Sequence, residues 1–210
     1  MKALIVSGGT PPTEDIFLQE VKTCDILIGA DKGCETYFKY NFIPDYALGD
    51  FDSINDFYKE KLKLTNVIKY NSEKDNTDSE IALLKAIELN ADEICILGVT
   101  GSRIDHVLGS LGLLNIALEN NVECYIKDKN NIIILTNKDI SLKDKGYKYI
   151  SFQAFGENIR SFSIKGAKYE VNNCLLSFGD GKFISNEFLN SEDINIKFQN
   201  GKILIIYSKD

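Results

Sequence analysis

The stretch ALGDFDSINDFY, residues 47–58, sets Asp50 and Asp52 on either side of Phe51, directly after Gly49. Two carboxylates this close repel each other, and a bound cation is the simplest way to offset that. In an extended chain the side chains at i and i+2 point the same way. The two carboxylates can then face one point while Phe51 turns into the protein. Two converging carboxylates plus water are a common way to hold Mg²⁺. A plain turn explains the same residues, because Asp and Gly are frequent in turns, and the pair by itself leaves both readings open. An EF-hand is excluded: Ile54 falls at the third ligand position and no glycine follows.

Two further clusters change the balance. NSEKDNTDSEIALLKAIEL carries Asp75 and Asp78. Thr77 and Glu80 have capping-box spacing ahead of a helical apolar run, which puts Asp78 in the first turn and Asp75 in the loop before it. Acids at a helix start stabilise it by ~0.3–1 kcal/mol, but Asp75 lies outside the helix and capping does not need it. The third cluster, ICILGVTGSRIDHVLGSLGLL, reads as strand, loop and helix. Gly98, Gly101 and Ser102 make a small-residue loop whose backbone N–H groups can approach a phosphate. Arg103 at the helix start can grip phosphate oxygens in a bidentate way, and Asp105 and His106 follow in the first turn. Val107, Leu108, Leu111, Leu114 and Leu118 form the expected buried face. A lone histidine is more often a packing residue than a catalyst, and a glycine loop alone is weak evidence. Three such clusters in one chain are stronger evidence than any one of them.

The elements that must position these residues alternate. ALIVSG, DILIGA, NVIKY, EICILGV, VECYIK and NIIILT are short apolar runs. Helical patterns are expected over 13–22, 33–40, 55–64, 78–89 and 104–119. Such alternation predicts a Rossmann-like α/β unit with a mainly parallel sheet, with ligands beyond the carboxyl ends of its strands. Past TNKDISLKDKGY the period becomes two, in YKYISFQAF, IRSFSIKG, NCLLSFG, INIKFQ and KILIIYS. This predicts an antiparallel β-sandwich or barrel. Asn200-Gly201 between two alternating runs predicts a hairpin. The boundary is expected near residues 137–146, giving an α/β domain over 1–137 and a β domain over 138–210.

Composition narrows the class. The chain has 210 residues, 44% hydrophobic and 26% charged, with a net charge of -7, ordinary for a folded protein with a substantial core. No clustered basic surface is visible, which argues against generic nucleic-acid binding; an anionic nucleotide can still bind through a metal ion. Five scattered cysteines without CxxC spacing fit buried free thiols in a reducing compartment better than disulfides or zinc. MKALIVSGG is too short for a signal peptide, and no run approaches the ~20 apolar residues of a membrane span. A cytoplasmic protein is expected.

In its motifs the sequence resembles the thiamine pyrophosphokinase (thiamine diphosphokinase) family. That family carries P-D-x-x-x-G-D-F-D-S, D-x-T-D and G-x-x-G-x-R-x-D-H segments in this order. Here they read PDYALGDFDS (44–53), DNTD (75–78) and GVTGSRIDH (98–106). An A-D-x-G element appears as ADKG, with Asp31 and Gly33, and an S-N-E-F-like segment as ISNEF, residues 184–188. Ordered sets of motifs are far more specific than single ones. Lys32 and Ser102 stand where many members have glycine, and the chain lacks tryptophan, on which some members stack thiamine.

The resemblance implies transfer of a diphosphate group from ATP to the primary hydroxyl of thiamine, giving thiamine diphosphate and AMP. It implies Mg²⁺ on Asp50, Asp52, Asp75 and Asp78, with Asp52, Asp78 and Arg103 as the catalytic set. Asp31, Ser53, Thr77, Gly101, Ser102, Arg103, Asp105 and His106 would bind the nucleotide, and Ser185, Asn186 and Phe188 would hold thiamine. It also implies a homodimer with an active site shared between subunits. Two other readings compete. DFDS matches the nucleophile motif of haloacid-dehalogenase-type phosphatases, although it follows two strands rather than one. A non-catalytic nucleotide or thiamine sensor is the other, disfavoured because every acidic motif position is present.

Overall fold

Lys2–Val6 (β1), Ile26–Ala30 (β2), Tyr46–Gly49 (β3), Asn66–Lys69 (β4), Glu93–Leu97 (β5) and Glu123–Lys127 (β6) form a parallel sheet in the order β4-β3-β2-β1-β5-β6. The central strands β1 and β5 are apolar and almost wholly buried, as expected for strands covered on both faces. The structure is a computed structural model that describes residues 1–70, 76–190 and 192–210.

The connecting helices are Glu14–Val21 (α1), Cys34–Lys39 (α2), Asp56–Lys59 (α3, continued as a 3-10 turn over Glu60–Leu64), Asp78–Glu88 (α4) and Ile104–Glu119 (α5). Phe17 of α1 and Tyr37 of α2 pack with Leu4, Val6, Cys95 and Leu97 on one face. The buried Tyr37 hydroxyl donates to the Leu4 carbonyl at 2.9 Å. α4 packs across β1, β2 and β3, and α5 against β6 and α4. Burial on α5 differs from the sequence pattern. Leu113, Leu114 and Ala117 are buried, whereas Leu108 is 57% exposed. Periodicity names an apolar stripe but does not say where along the helix the packing begins.

This first unit, Met1–Lys129, ends before the region where the sequence changes period, and the second is Asn130–Asp210. Asn131–Thr136 (β7) belongs to the second unit because it pairs antiparallel with Lys202–Ser208 (β13). A buried apolar strand carries no local mark of which sheet it will join.

In the second unit Ile140–Leu142 (β8), Tyr149–Phe155 (β9), Ile159–Lys165 (β10), Val171–Leu176 (β11) and Ile194–Lys197 (β12) join β7 and β13. They form two antiparallel sets, β7-β13-β9 and β11-β10-β12-β8. Phe152 of β9 meets Phe162 of β10 across them at 5.7 Å between ring centroids, and Phe162 meets Phe183 at 5.3 Å. Asn200-Gly201 does not close a hairpin. β12 pairs with β10 and β8, while β13 lies between β7 and β9. Gly201 has φ +79° as a turn residue should, but the turn hands the chain from one sheet to the other. The five cysteines are free, with Cys34 and Cys95 buried. Among the described residues no helix is long and apolar enough to cross a membrane.

Candidate active site

β2, β3 and β4 extend from one side of β1, and β5 and β6 from the other. The order therefore reverses between β1 and β5, the place where open α/β sheets form a crevice. A cleft of about 610 Å³ opens there. The loop after β1 (Ser7, Gly8, Gly9, Thr10, Pro11) and the loop after β5 (Gly98 to Arg103) line it. So do Ala30 and Asp31 after β2, Thr77, Asp78 and Ser79 at the start of α4, and His106 and Ser110 of α5.

The two glycine loops are joined backbone to backbone. Ser7 N–H donates to Leu97 O at 2.9 Å, Gly9 N–H to Gly98 O at 2.7 Å, and Thr10 N–H to Thr100 O at 2.9 Å. A side chain at Gly98 would sit 2.3 Å from Ser7 O, with φ at +72°, so this position requires glycine. The N–H groups of Gly8, Gly101 and Ser102 make no hydrogen bond among the described residues. Backbone donors left over in a cleft beside a helix start are what an anionic group needs. The loop after β1 escaped the sequence reading. Its signal was SGGT at the carboxyl end of a buried strand, which becomes informative only when the strand order is known.

Asp31, Asp50 and Asp52 come together, with one carboxylate oxygen from each lying within 4.8 Å of the others. The carboxylates do not converge through an extended strand. Phe51 adopts φ +61° and is 5% exposed, so a left-handed residue makes the turn, and Asp52 N–H donates to Asp50 Oδ1 at 3.2 Å. A bulky side chain in that region is held at a cost of ~1–3 kcal/mol by its surroundings, here the cluster of Cys34, Phe38, Ala47 and Ile54. Asp50, through a shared hydrogen bond and its charge, pushes the Asp52 carboxyl above its ordinary range. Ser53 donates its hydroxyl to Asp31 Oδ2. Asp31 Oδ1 is buried with no hydrogen-bond partner. A crowded, repelling carboxylate set with one unsatisfied buried oxygen fits a hard divalent cation.

Asp78 lines the same cleft as Asp31, whereas Asp75 lies outside the described residues. Thr77 Oγ1 caps α4 by accepting from Glu80 N–H at 3.2 Å. Glu80 accepts from Asn76 Nδ2 at 2.8 Å. Ser79 Oγ donates to Ser7 Oγ at 2.8 Å. Arg103 reaches Asp105 through Nε at 3.3 Å and Nη2 at 2.5 Å, which holds the Asp105 carboxyl below its usual range. Of the residues expected to bind the nucleotide, Asp31, Thr77, Gly101, Ser102, Arg103 and His106 line the cleft, while Ser53 and Asp105 lie outside the lining and are hydrogen-bonded to Asp31 and Arg103.

In the second unit Asn186 is 4% exposed and bridges to Ile150. Its side-chain oxygen accepts from Tyr169 N–H at 3.0 Å and its Nδ2 donates to Tyr169 O at 2.9 Å. The Asn186 amide is thus committed to holding its segment. Ser185 is exposed with φ +60°, and Phe188 stacks on Tyr207 with centroids 6.0 Å apart.

A crevice at the strand-order switch, flanked by partnerless backbone donors, an arginine and a carboxylate cluster, defines a phosphate-handling α/β enzyme. An antiparallel β unit follows it in the chain. The comparisons with known proteins agree. A family profile described as "Thiamin pyrophosphokinase, catalytic domain" matches residues 17–126, and "Thiamin pyrophosphokinase, vitamin B1 binding domain" matches 134–203. The chain is 38% identical over 190 residues to thiamine pyrophosphokinase of Bacillus subtilis, covering 88% of each. It resembles the crystal structure of the Bacillus subtilis thiamine pyrophosphokinase with a TM-score of 0.89 at 33% identity, over 100% of both chains. The Geobacillus thermodenitrificans structure matches at 0.85 and 32%, over 100% of this chain and 98% of that one. The chain belongs to the thiamin pyrophosphokinase family.

Proposed function

We propose that the protein transfers the diphosphate of ATP to the primary hydroxyl of thiamine. The observation that carries this reading is that both the catalytic and the vitamin-B1-binding profiles match this one chain, in order. The cleft of the first unit supports it by supplying phosphate donors and a carboxylate set together.

In this reading Asp31, Asp50, Asp52 and Asp78 hold Mg²⁺, with Asp75 as a further ligand. When bound, the ion neutralises phosphate charge that the carboxylates alone would repel. The N–H groups of Gly101 and Ser102, the Thr77 hydroxyl and the Arg103 guanidinium grip phosphate oxygens, with Arg103 aimed by Asp105. His106 shapes the nucleoside end. Ser185 and Phe188 contact thiamine, and Asn186 holds their segment in shape. The thiamine hydroxyl oxygen attacks the β-phosphorus, the bond from that phosphorus to the α–β bridging oxygen breaks, and AMP leaves with the bridging oxygen. Asp52 orients the hydroxyl and takes its proton as the general base. Most of the acceleration comes from alignment and charge neutralisation.

The family resemblance supports a homodimer in which each site joins the α/β unit of one subunit to the β unit of the other. Five free cysteines support residence in a reducing compartment, the cytoplasm. Product analysis tests the reading. Protein with ATP, Mg²⁺ and thiamine is expected to yield AMP and thiamine diphosphate in equal amounts, and a chelator is expected to stop it. ADP with thiamine monophosphate would contradict it.

A further inference from the structure

The nucleotide's phosphates carry several negative charges into a cleft whose own charges are mostly negative. Asp31 and Asp78 line it, and Asp50 and Asp52 adjoin Asp31. Among the described residues Arg103 is the one cation in its lining, and Asp105 already shares that guanidinium. A second cation stands on the other side of β1. Lys32 lies in the 3-10 turn Asp31–Gly33 that follows β2. That turn is pressed flush onto β1, since a side chain at Gly33 would meet Val6 O at 1.9 Å. Its position is therefore fixed by backbone contact. A Cβ at Gly8 would lie 3.2 Å from the Lys32 Cβ, so the lysine stem starts at the wall of the cleft, beside a Gly8 N–H that has no partner among the described residues. Lys32 is exposed and enters no ion pair among the described residues.

We propose that Lys32 is a second phosphate-binding cation, acting from the β2 side of the cleft while Arg103 acts from the β5 side. The four-carbon stem lets the ammonium sweep the cleft mouth as a mobile point charge, and the Gly8 N–H beside its root adds a fixed donor. Its ligand is the oligophosphate of the nucleotide, and its contribution grows with phosphate number. This rests on the ATP-dependent reading above.

The test is calorimetric binding of AMP, ADP and a non-hydrolysable ATP analogue, with Mg²⁺, to the parent and to Lys32→Met and Lys32→Arg. Lys32→Met is expected to weaken the ATP analogue about three- to tenfold, as one charge-assisted contact at a partly exposed site does. ADP should lose less and AMP almost nothing, and Lys32→Arg should restore most of the loss. In steady state the KM for ATP should rise more than kcat falls. Affinity for the ATP analogue within twofold of the parent, or an equal loss for all three nucleotides, would overturn the assignment. A parent protein that binds no nucleotide would overturn the ATP reading itself, and is told apart because the loss then precedes any substitution.

Discussion

Ser79 Oγ donates to Ser7 Oγ at 2.8 Å, and so ties the first turn of α4 to the loop that leaves β1. Ser7 is only 5% exposed. The acid-bearing helix start and the glycine loops are thereby one assembly rather than neighbours, and several consequences can be measured.

Gly98→Ala should damage that assembly most. The new methyl would meet Ser7 O at 2.3 Å from a left-handed backbone. A loss of about 2–3 kcal/mol in unfolding free energy is expected, with nucleotide affinity falling as the Gly9 and Thr10 bonds shift. Urea denaturation checks the first and calorimetry the second. Gly109→Ala, where the added methyl meets nothing within 4 Å, should keep wild-type stability or gain slightly, as an alanine in a helix does.

The acidic cluster predicts a pH dependence of cation binding. Asp50 raises the proton affinity of Asp52, so without a cation the paired site costs stability as pH rises through that raised value. A cation removes the cost. Mg²⁺ should therefore raise Tm at neutral pH and lose this effect in acid, with binding weakening at a higher pH than an isolated carboxylate would set. Mn²⁺ titration followed by electron spin resonance across the acid range measures it, and Asp52→Asn should flatten the profile. Ser53→Ala frees the Asp31 carboxylate and is expected to weaken the cation on the order of tenfold.

Glu20 carries a structural prediction in the first unit. Burial alone would raise its carboxyl, but hydrogen bonds from Lys127 and Tyr125, with the charges of Lys127 and Lys2, hold it below the ordinary range. Lys127 Nζ lies 2.6 Å from Glu20 Oε1, with both side chains at or below a tenth exposed. A depressed folded value means the stabilisation is present above the unfolded value and is lost as pH falls through the folded one. Glu20→Ala strands the Lys127 ammonium and should cost about 3–5 kcal/mol near neutrality. Its unfolding free energy should also depend less on acid pH than the parent's. Chemical denaturation at a series of pH values reads both.

Much of this was legible in the sequence. The carboxylates at 50, 52 and 78, the Thr77 cap and the glycine–arginine loop were found because each needs a particular residue type at a fixed local spacing. What was not legible is non-local. The Ser7–Thr10 loop is unremarkable until β1 is known to sit at the strand-order switch. Asn200-Gly201 looks like a hairpin because that signal is local, yet strand partners are chosen by the two sheets. Phe51 keeps its inward direction, but by a left-handed turn that no apolar pattern predicts. Leu108 has the periodicity of a core residue without a core beside it.

Asp78→Ala should abolish turnover while thermal unfolding and far-ultraviolet circular dichroism keep the parent's profile. The side chain sits in the first turn of α4, whose cap is Thr77, so the helix start keeps its cap when the carboxylate is removed. Near-parent activity would remove Asp78 from the site.

The central claim is that the β-phosphorus of ATP is the atom attacked. ATP labelled separately at its α- and β-phosphorus tests this most directly, with products separated after reaction with thiamine and Mg²⁺. The account predicts that the β label moves wholly into thiamine diphosphate while the α label stays in AMP. A β label retained in ADP, with thiamine carrying a single unlabelled phosphate, would contradict it.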